Sequence, residues 1–175
     1  MSLRDQIETE RLTLRRPRLS DSGPMSLYAG DRRVAEMLEH VPHPYPPGAA
    51  EAFIARADRS AEHVWVMDAA KIDGPEFIGV ISVKPKDEEG RLGYWVGPPF
   101  WGTGYASEAA LAIVAAATAA GLTRLEARIV VENEPSAHVL VNAGFREAGR
   151  GDFYSVARGA MTAHRLFALD LGGRA

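Results

Sequence analysis

The chain has 175 residues, 46% of them hydrophobic, a formal net charge of -3 and no cysteine. That length and apolar content bury one sizeable core, so a single domain over residues 1–175 is expected. The missing cysteine excludes disulfides and a cysteine nucleophile, and the mild acidity argues against nucleic-acid binding, whose footprint is basic.

Leu12 to Arg16 alternates as a first strand. Pro17 to Ser22 breaks it, with Ser20 or Asp21 placed to cap a helix through Ala29, and a second helical piece starts from Asp31. The crowded prolines of Val41 to Gly48 remove donors and force extended geometry. They predict a stiff loop whose His43 and Tyr45 are placed either to shape what the protein binds or to pack as ordinary loop residues. Ala49 to Ala61 reads as a helix. Val64 to Asp68, Glu76 to Val83 and Arg91 to Val96 read as a three-stranded meander, separated by turns at Asp73-Gly74-Pro75 and Lys86 to Gly90.

The most informative stretch follows: Phe100-Trp101-Gly102-Thr103-Gly104-Tyr105-Ala106-Ser107-Glu108-Ala109. Glycines between a strand and a helix let successive amide hydrogens converge on an anion, and a helix from Tyr105 to Ala120 aims its positive dipole end at them. Gly121 stops that helix. Its small-residue run from Ala109 to Ala120 is too short and alanine-rich to span a membrane, and no signal peptide is legible, so a soluble cytoplasmic protein with no membrane partner is expected. A strand from Arg124 to Val131 leads into Asn133-Glu134-Pro135-Ser136, then an amphipathic stretch ends at Asn142-Ala143-Gly144-Phe145. Closing strands fall at Phe145 to Gly149 and Met161 to Leu171. The order predicts a mixed α/β layer fold. An exposed final strand from Thr162 to Leu169 offers an edge for a second copy, which leaves a homodimer open.

Glycine loop, strand, Asn-x-x-Ser and Gly-Phe in that order resemble the GNAT superfamily of acyl-CoA-dependent N-acyltransferases, in the branch of the bacterial ribosomal-protein alanine N-acetyltransferases. The likeness covers nearly the whole chain, from Glu8-Thr9-Glu10-Arg11-Leu12-Thr13-Leu14-Arg15 through Gly93-Tyr94-Trp95-Val96-Gly97-Pro98-Pro99-Phe100-Trp101. It implies the GNAT fold, a central, mostly antiparallel, splayed β-sheet flanked by helices, with acetyl-CoA as acyl donor and an amine as acceptor: a peptide N-terminus or a small molecule. It further implies that Val96 gives pantetheine its backbone contact, that Gly102, Thr103, Gly104, Tyr105 and Ala106 hold the pyrophosphate, that Trp101 packs beside them, and that Asn133 bonds pantetheine or caps a helix. Where many members carry a tyrosine as acid for the leaving thiolate stands Leu140, and Ser136 is the substitute candidate, with helix capping as its other reading. Arg91 stands where the branch often has glutamate, which puts an acceptor contact in doubt.

Glu108 sits beside the expected pyrophosphate and would repel it, so it is expected to turn away and bond a neighbouring loop. Base candidates are Glu132, Glu134, His138, Asp152 and His164, with a water chain as alternative. The histidines lack metal-like spacing, so no metal is expected. A dinucleotide-binding oxidoreductase fits poorly, because Ser107 replaces the third glycine or alanine of that fingerprint, which normally sits in a βαβ unit rather than after an antiparallel meander. A non-catalytic acyl-CoA-binding regulatory module is the rival to an enzyme.

Overall fold

The structure, a computed structural model, describes residues 3–172. The N-terminal half runs β1 (Ile7–Glu8), β2 (Thr13–Arg15), α1 (Ser22–Ala29), α2 (Arg32–Ala35), α3 (Ala49–Ala57), β3 (His63–Asp68), β4 (Gly79–Lys86) and β5 (Glu89–Val96). The rest is α4 (Tyr105–Ala119), β6 (Arg124–Val130), α5 (Glu134–Asn142), β7 (Arg146–Ser155) and β8 (Ala160–Asp170). Among the described residues one eight-stranded sheet forms, in the order β1-β2-β3-β4-β5-β6-β8-β7, antiparallel except where β5 meets β6.

Strand periodicity explains why both faces of this sheet are covered. Trp65 and Met67 of β3 and Ile81 and Val83 of β4 point to the core that holds Ala109, Ile113 and Ala117 of α4 and Leu140 of α5. Their sequence neighbours Val64, Val66 and Val80 point the other way, to Met25 of α1 and Ala50, Ile54 and Ala57 of α3. Alanines on the buried stripe of α4 bring that helix close to the sheet. A third element of order is the buried Arg15 guanidinium. It bonds both oxygens of Asp21 at 2.9 Å, Asp68 at 2.6 Å and the Glu76 carbonyl at 2.9 Å, tying β2, the turn before α1 and β3 together.

Several boundaries differ from the sequence expectation. Asp21 precedes α1, but its carboxylate goes to Arg15 and the Arg18 amide rather than to the helix start. Asp31 does cap α2, accepting from the Arg33 amide. The turn expected over Lys86 to Gly90 shrinks to Asp87 and Glu88, since Lys86 already pairs with Glu89. The Thr162 to Leu169 segment is not an edge. It belongs to β8, which lies between β6 and β7, because β7 runs on to Ser155 and forms a long hairpin with it. The free edge on that side is β7.

Candidate active site

The site begins as a defect in the sheet. β5 and β6 pair only over Glu89 to Leu92 and Arg124 to Ala127, and no pairing follows although both strands continue. The tight turn between β4 and β5 fixes which peptide groups face the gap. Its closing pair, Lys86 with Glu89, bonds within the hairpin, so by alternation Arg91, Gly93 and Trp95 bond β4 while Tyr94 and Val96 turn their peptide groups toward β6. Past Leu92 they meet no strand there. Gly79 permits the bend, since a Cβ on it would overlap the Trp95 carbonyl and stand 2.9 Å from the Val96 Cα. The opening is a cavity of about 720 Å³ whose wall includes Tyr94, Val96, Trp101 to Ser107, Asn133 and Ser136.

At one end lies the glycine loop. Gly102 and Gly104 adopt φ of 72° and 82°, in the left-handed region that favours glycine. Gly104 is the N-cap of α4 and has no side chain to satisfy the first-turn amides, which leaves them for an anion. A Cβ on Gly102 would meet nothing within 4 Å, so the loop is open on its outer side. The residues present fit a bound pyrophosphate. The Trp101 indole N–H donates to the Val96 carbonyl at 2.7 Å and the Thr103 hydroxyl to the Phe100 carbonyl at 2.6 Å, folding the loop back on the end of β5.

Glu108 turns away from this loop, as expected. Its carboxylate accepts from the Thr9 hydroxyl at 2.6 Å, the Arg11 amide at 2.7 Å and the Arg11 Nε at 2.7 Å. Burial alone would raise its pKa, but these bonds outweigh it and hold the carboxyl below the ordinary range. Arg11 then donates to the Thr103 carbonyl at 2.9 Å and lies over the Tyr105 ring, 4.5 Å from its centroid. Sequence reasoning missed Arg11. The available signal was an acidic residue in an anion site, which requires a cation elsewhere in the chain to hold it.

At the other wall, Asn133 caps α5 by accepting from the Ser136 amide at 3.3 Å. The capping role considered for Ser136 therefore belongs to Asn133, because the helix starts at Glu134 and places Ser136 within its first turn. The Ser136 hydroxyl bonds no described residue and lines the cavity. The Tyr94 phenol donates to the Ser136 carbonyl at 2.9 Å, bridging β5 to α5, and burial pushes its pKa far above the ordinary value. Leu140 is fully buried in the core, so no acid replaces the usual tyrosine at that position.

Residues 11–146 match the family described as an acetyltransferase (GNAT) domain. The chain belongs to this family. It is similar to the uncharacterized N-acetyltransferase p20 of Bacillus licheniformis, 30% identical over 172 residues, which cover 94% of this chain and 96% of that protein. Among solved structures, Mycobacterium smegmatis RimJ in complex with CoA-disulfide shares 24% identity and a TM-score of 0.78 over 95% of this chain and 87% of that one. Spermidine N-acetyltransferase from Vibrio cholerae, in complex with CoA and spermine, shares 18% and 0.76 over 92% and 96%. Both have the GNAT fold seen here, and GNAT acetyltransferases take their acetyl group from acetyl-CoA.

Of the base candidates in this GNAT site, only Glu132 lines the cavity. The Arg158 guanidinium, at 2.8 Å, holds its carboxyl below the ordinary range. Glu134 is on the surface paired to Arg165, and His138 and Asp152 are exposed away from the cavity. His164 is buried against Phe153, with Nδ1 unpartnered among the described residues, and burial lowers its pKa. Of the two readings of the proline-rich loop, packing is the one seen. Neither His43 nor Tyr45 reaches the cavity, since Tyr45 packs against the second core and burial raises its pKa; Arg33, Met37 and Leu38 of the α2 region line the wall instead.

Proposed function

We propose that the chain is a single GNAT domain that moves the acetyl group of acetyl-CoA to a primary amine by direct attack in a ternary complex. The observation that carries this reading is the ladder that stops at Leu92 and Ala127, with the uncapped glycine turn at the mouth of the gap. The Gly102 to Ala106 amides hold the pyrophosphate, Trp101 packs beside it, and Val96 and Asn133 bond the pantetheine arm. Acetyl-CoA supplies an acetyl thioester as electrophile. The Val96 amide polarises the carbonyl oxygen, and the gap holds amine and acetyl carbon in contact. As the C–N bond forms and the C–S bond breaks, the Ser136 hydroxyl gives the leaving sulfur its proton and regains one released by the amine through water.

No helix among the described residues is long and apolar enough to cross a membrane. That fits a cytoplasmic enzyme acting on a dissolved amine, for which the spermine bound to the Vibrio cholerae neighbour is one precedent.

Calorimetric titration with acetyl-CoA tests the donor site. Saturable binding that Gly104→Glu abolishes supports it, and absence of binding refutes it. Thiol release with a panel of amines then separates an enzyme from a binding module. Ser136→Ala that keeps full turnover removes Ser136 from the chemistry.

A further inference from the structure

On the acetyl-transfer reading above, the unassigned half of the site belongs to the acceptor. Among the described residues three charged side chains line the cavity: Arg33, Arg128 and Glu132. Glu132 is joined to Arg158 at 2.8 Å, and Arg33 is joined to Asp31 at 2.8 Å and leans on the Trp101 ring. The Arg128 side chain has no hydrogen bond or ion pair among the described residues, although its backbone pairs with β8. One positive charge therefore stands uncompensated in the wall.

Its position is fixed by the strand. Arg128 is the first β6 residue beyond the last ladder pair, Leu92 with Ala127, and so stands at the apex of the gap. Ala127 and Ile129, on either side of it, are buried in the core shared with α4 and α5. Alternation sends Arg128 to the opposite face, away from the helices that carry the glycine loop and Ser136. On β5 the corresponding step is Gly93, and a Cβ there would find only Ser82 Oγ, at 3.6 Å. An open floor thus lies beside an unpaired guanidinium where the two faces communicate. The Arg128 charge also reaches the buried His164, whose pKa falls first through burial and then through that arginine. Arg91, Asp152 and Glu39 are the other charges acting on His164, and none of them lines the cavity.

We propose that the acceptor is an amine that also carries a carboxylate, and that Arg128 selects it by receiving that carboxylate at the apex of the gap. A planar guanidinium takes a carboxylate through paired hydrogen bonds, which places the neighbouring amine at the opening, and it repels a polycation. The carboxylate is that of a free amino acid or of an acidic side chain beside a peptide N-terminus.

The test uses the full chain, acetyl-CoA and thiol release with matched acceptors: a free amino acid and its primary amide, a dipeptide with an acidic first residue and its neutral counterpart, and spermidine. Amidation is expected to lower kcat/KM about tenfold or more, the effect of losing a charge-assisted pair. Arg128→Gln should impose the same loss on the carboxylate acceptors and none on their amides, with Arg128→Lys recovering part of it. Acetyl-CoA affinity and thermal stability should stay at the wild-type value, since this side chain is exposed. Preference for the amino acid or for the acidic dipeptide identifies the carboxylate's source, and either supports the proposal. Equal use of amides or spermidine overturns it. So does an Arg128→Gln chain that binds acetyl-CoA weakly, because the guanidinium then serves the donor. Bound acetyl-CoA with no turnover of any acceptor also overturns it, whereas failure to bind acetyl-CoA strikes the acetyl-transfer reading itself.

Discussion

Replacing Glu108 tests how the N-terminal segment supports the glycine loop. Its carboxylate accepts three hydrogen bonds from Thr9 and Arg11, with its side chain 17% exposed and that of Arg11 34% exposed. Hydrogen bonds to a charged group each contribute roughly 1.5–3 kcal/mol, but the solvent open to Arg11 compensates part of the loss. Glu108→Ala should therefore cost about 2–3 kcal/mol, or about 4–12 °C in Tm for a chain of this size. Glu108→Gln keeps an acceptor for Thr9 and the Arg11 amide and should cost about 1 kcal/mol. The sign with pH follows from the lowered pKa. The contribution is fully present above the unfolded carboxyl value of about 4.3 and is lost as pH falls through the lower folded value, so wild type and Glu108→Gln should converge in acid. Differential scanning calorimetry over a pH series reads this, and acetyl-CoA titration reads the coupled effect. With Arg11 no longer held against Thr103 and Tyr105, acetyl-CoA affinity should fall about three- to tenfold. Unchanged Tm and affinity in Glu108→Ala would refute the reasoning. Tighter binding would show instead that repulsion between this carboxylate and the phosphates outweighs its hold on Arg11.

Three further outcomes follow from the geometry. Asp21→Ala leaves the buried Arg15 charge with Asp68 alone and should cost about 3–5 kcal/mol in urea unfolding. Gly79→Ala forces β5 away from β4 at Trp95 and should lower stability by about 1–3 kcal/mol and weaken acetyl-CoA binding, both measurable in one calorimetric series. Asn133→Ala should lose about 1 kcal/mol of stability as a lost cap, while Ser136→Ala keeps its Tm and loses turnover; the reverse pattern would exchange their assigned roles.

The strongest sequence signals were those in which one residue type serves one backbone geometry. The glycine loop and α4 were legible because positive φ needs glycine and an alanine-rich stripe needs a sheet to lie on. β7 was read only to Gly149 because Gly151 and Asp152 interrupt any strand pattern there; pairing with β8 carries the strand on to Ser155, where Phe153 and Ser155 are buried. The helix register that gave the cap to Asn133 rather than Ser136 was not legible, since both are good capping residues and only the start at Glu134 decides. His43 and Tyr45 stayed open between two readings for a related reason. A proline-rich loop is stiff whether it lines a site or packs inward, and contact with the second core is a long-range fact. Arg11 was hidden because its partner Glu108 lies 97 residues away.

Opening the sheet between β5 and β6 has an energetic consequence that can be measured directly. A continuous β5–β6 ladder would satisfy the peptide groups of Tyr94 and Val96; the gap removes that partner, and among the described residues only the Val96 carbonyl regains one, the Trp101 indole. The amides facing the gap are left to solvent or to a ligand. In the free protein the Tyr94 and Val96 amides should therefore exchange with deuterium much faster than those of Gly93 and Trp95, which bond β4. Bound acetyl-CoA should slow the Val96 amide, while the already protected Gly93 and Trp95 change little. The comparison is internal to one strand, so global stability cancels. Equal protection of all four amides in the free protein would mean that the gap closes in solution, and with it would go the physical basis for a transfer site between these strands.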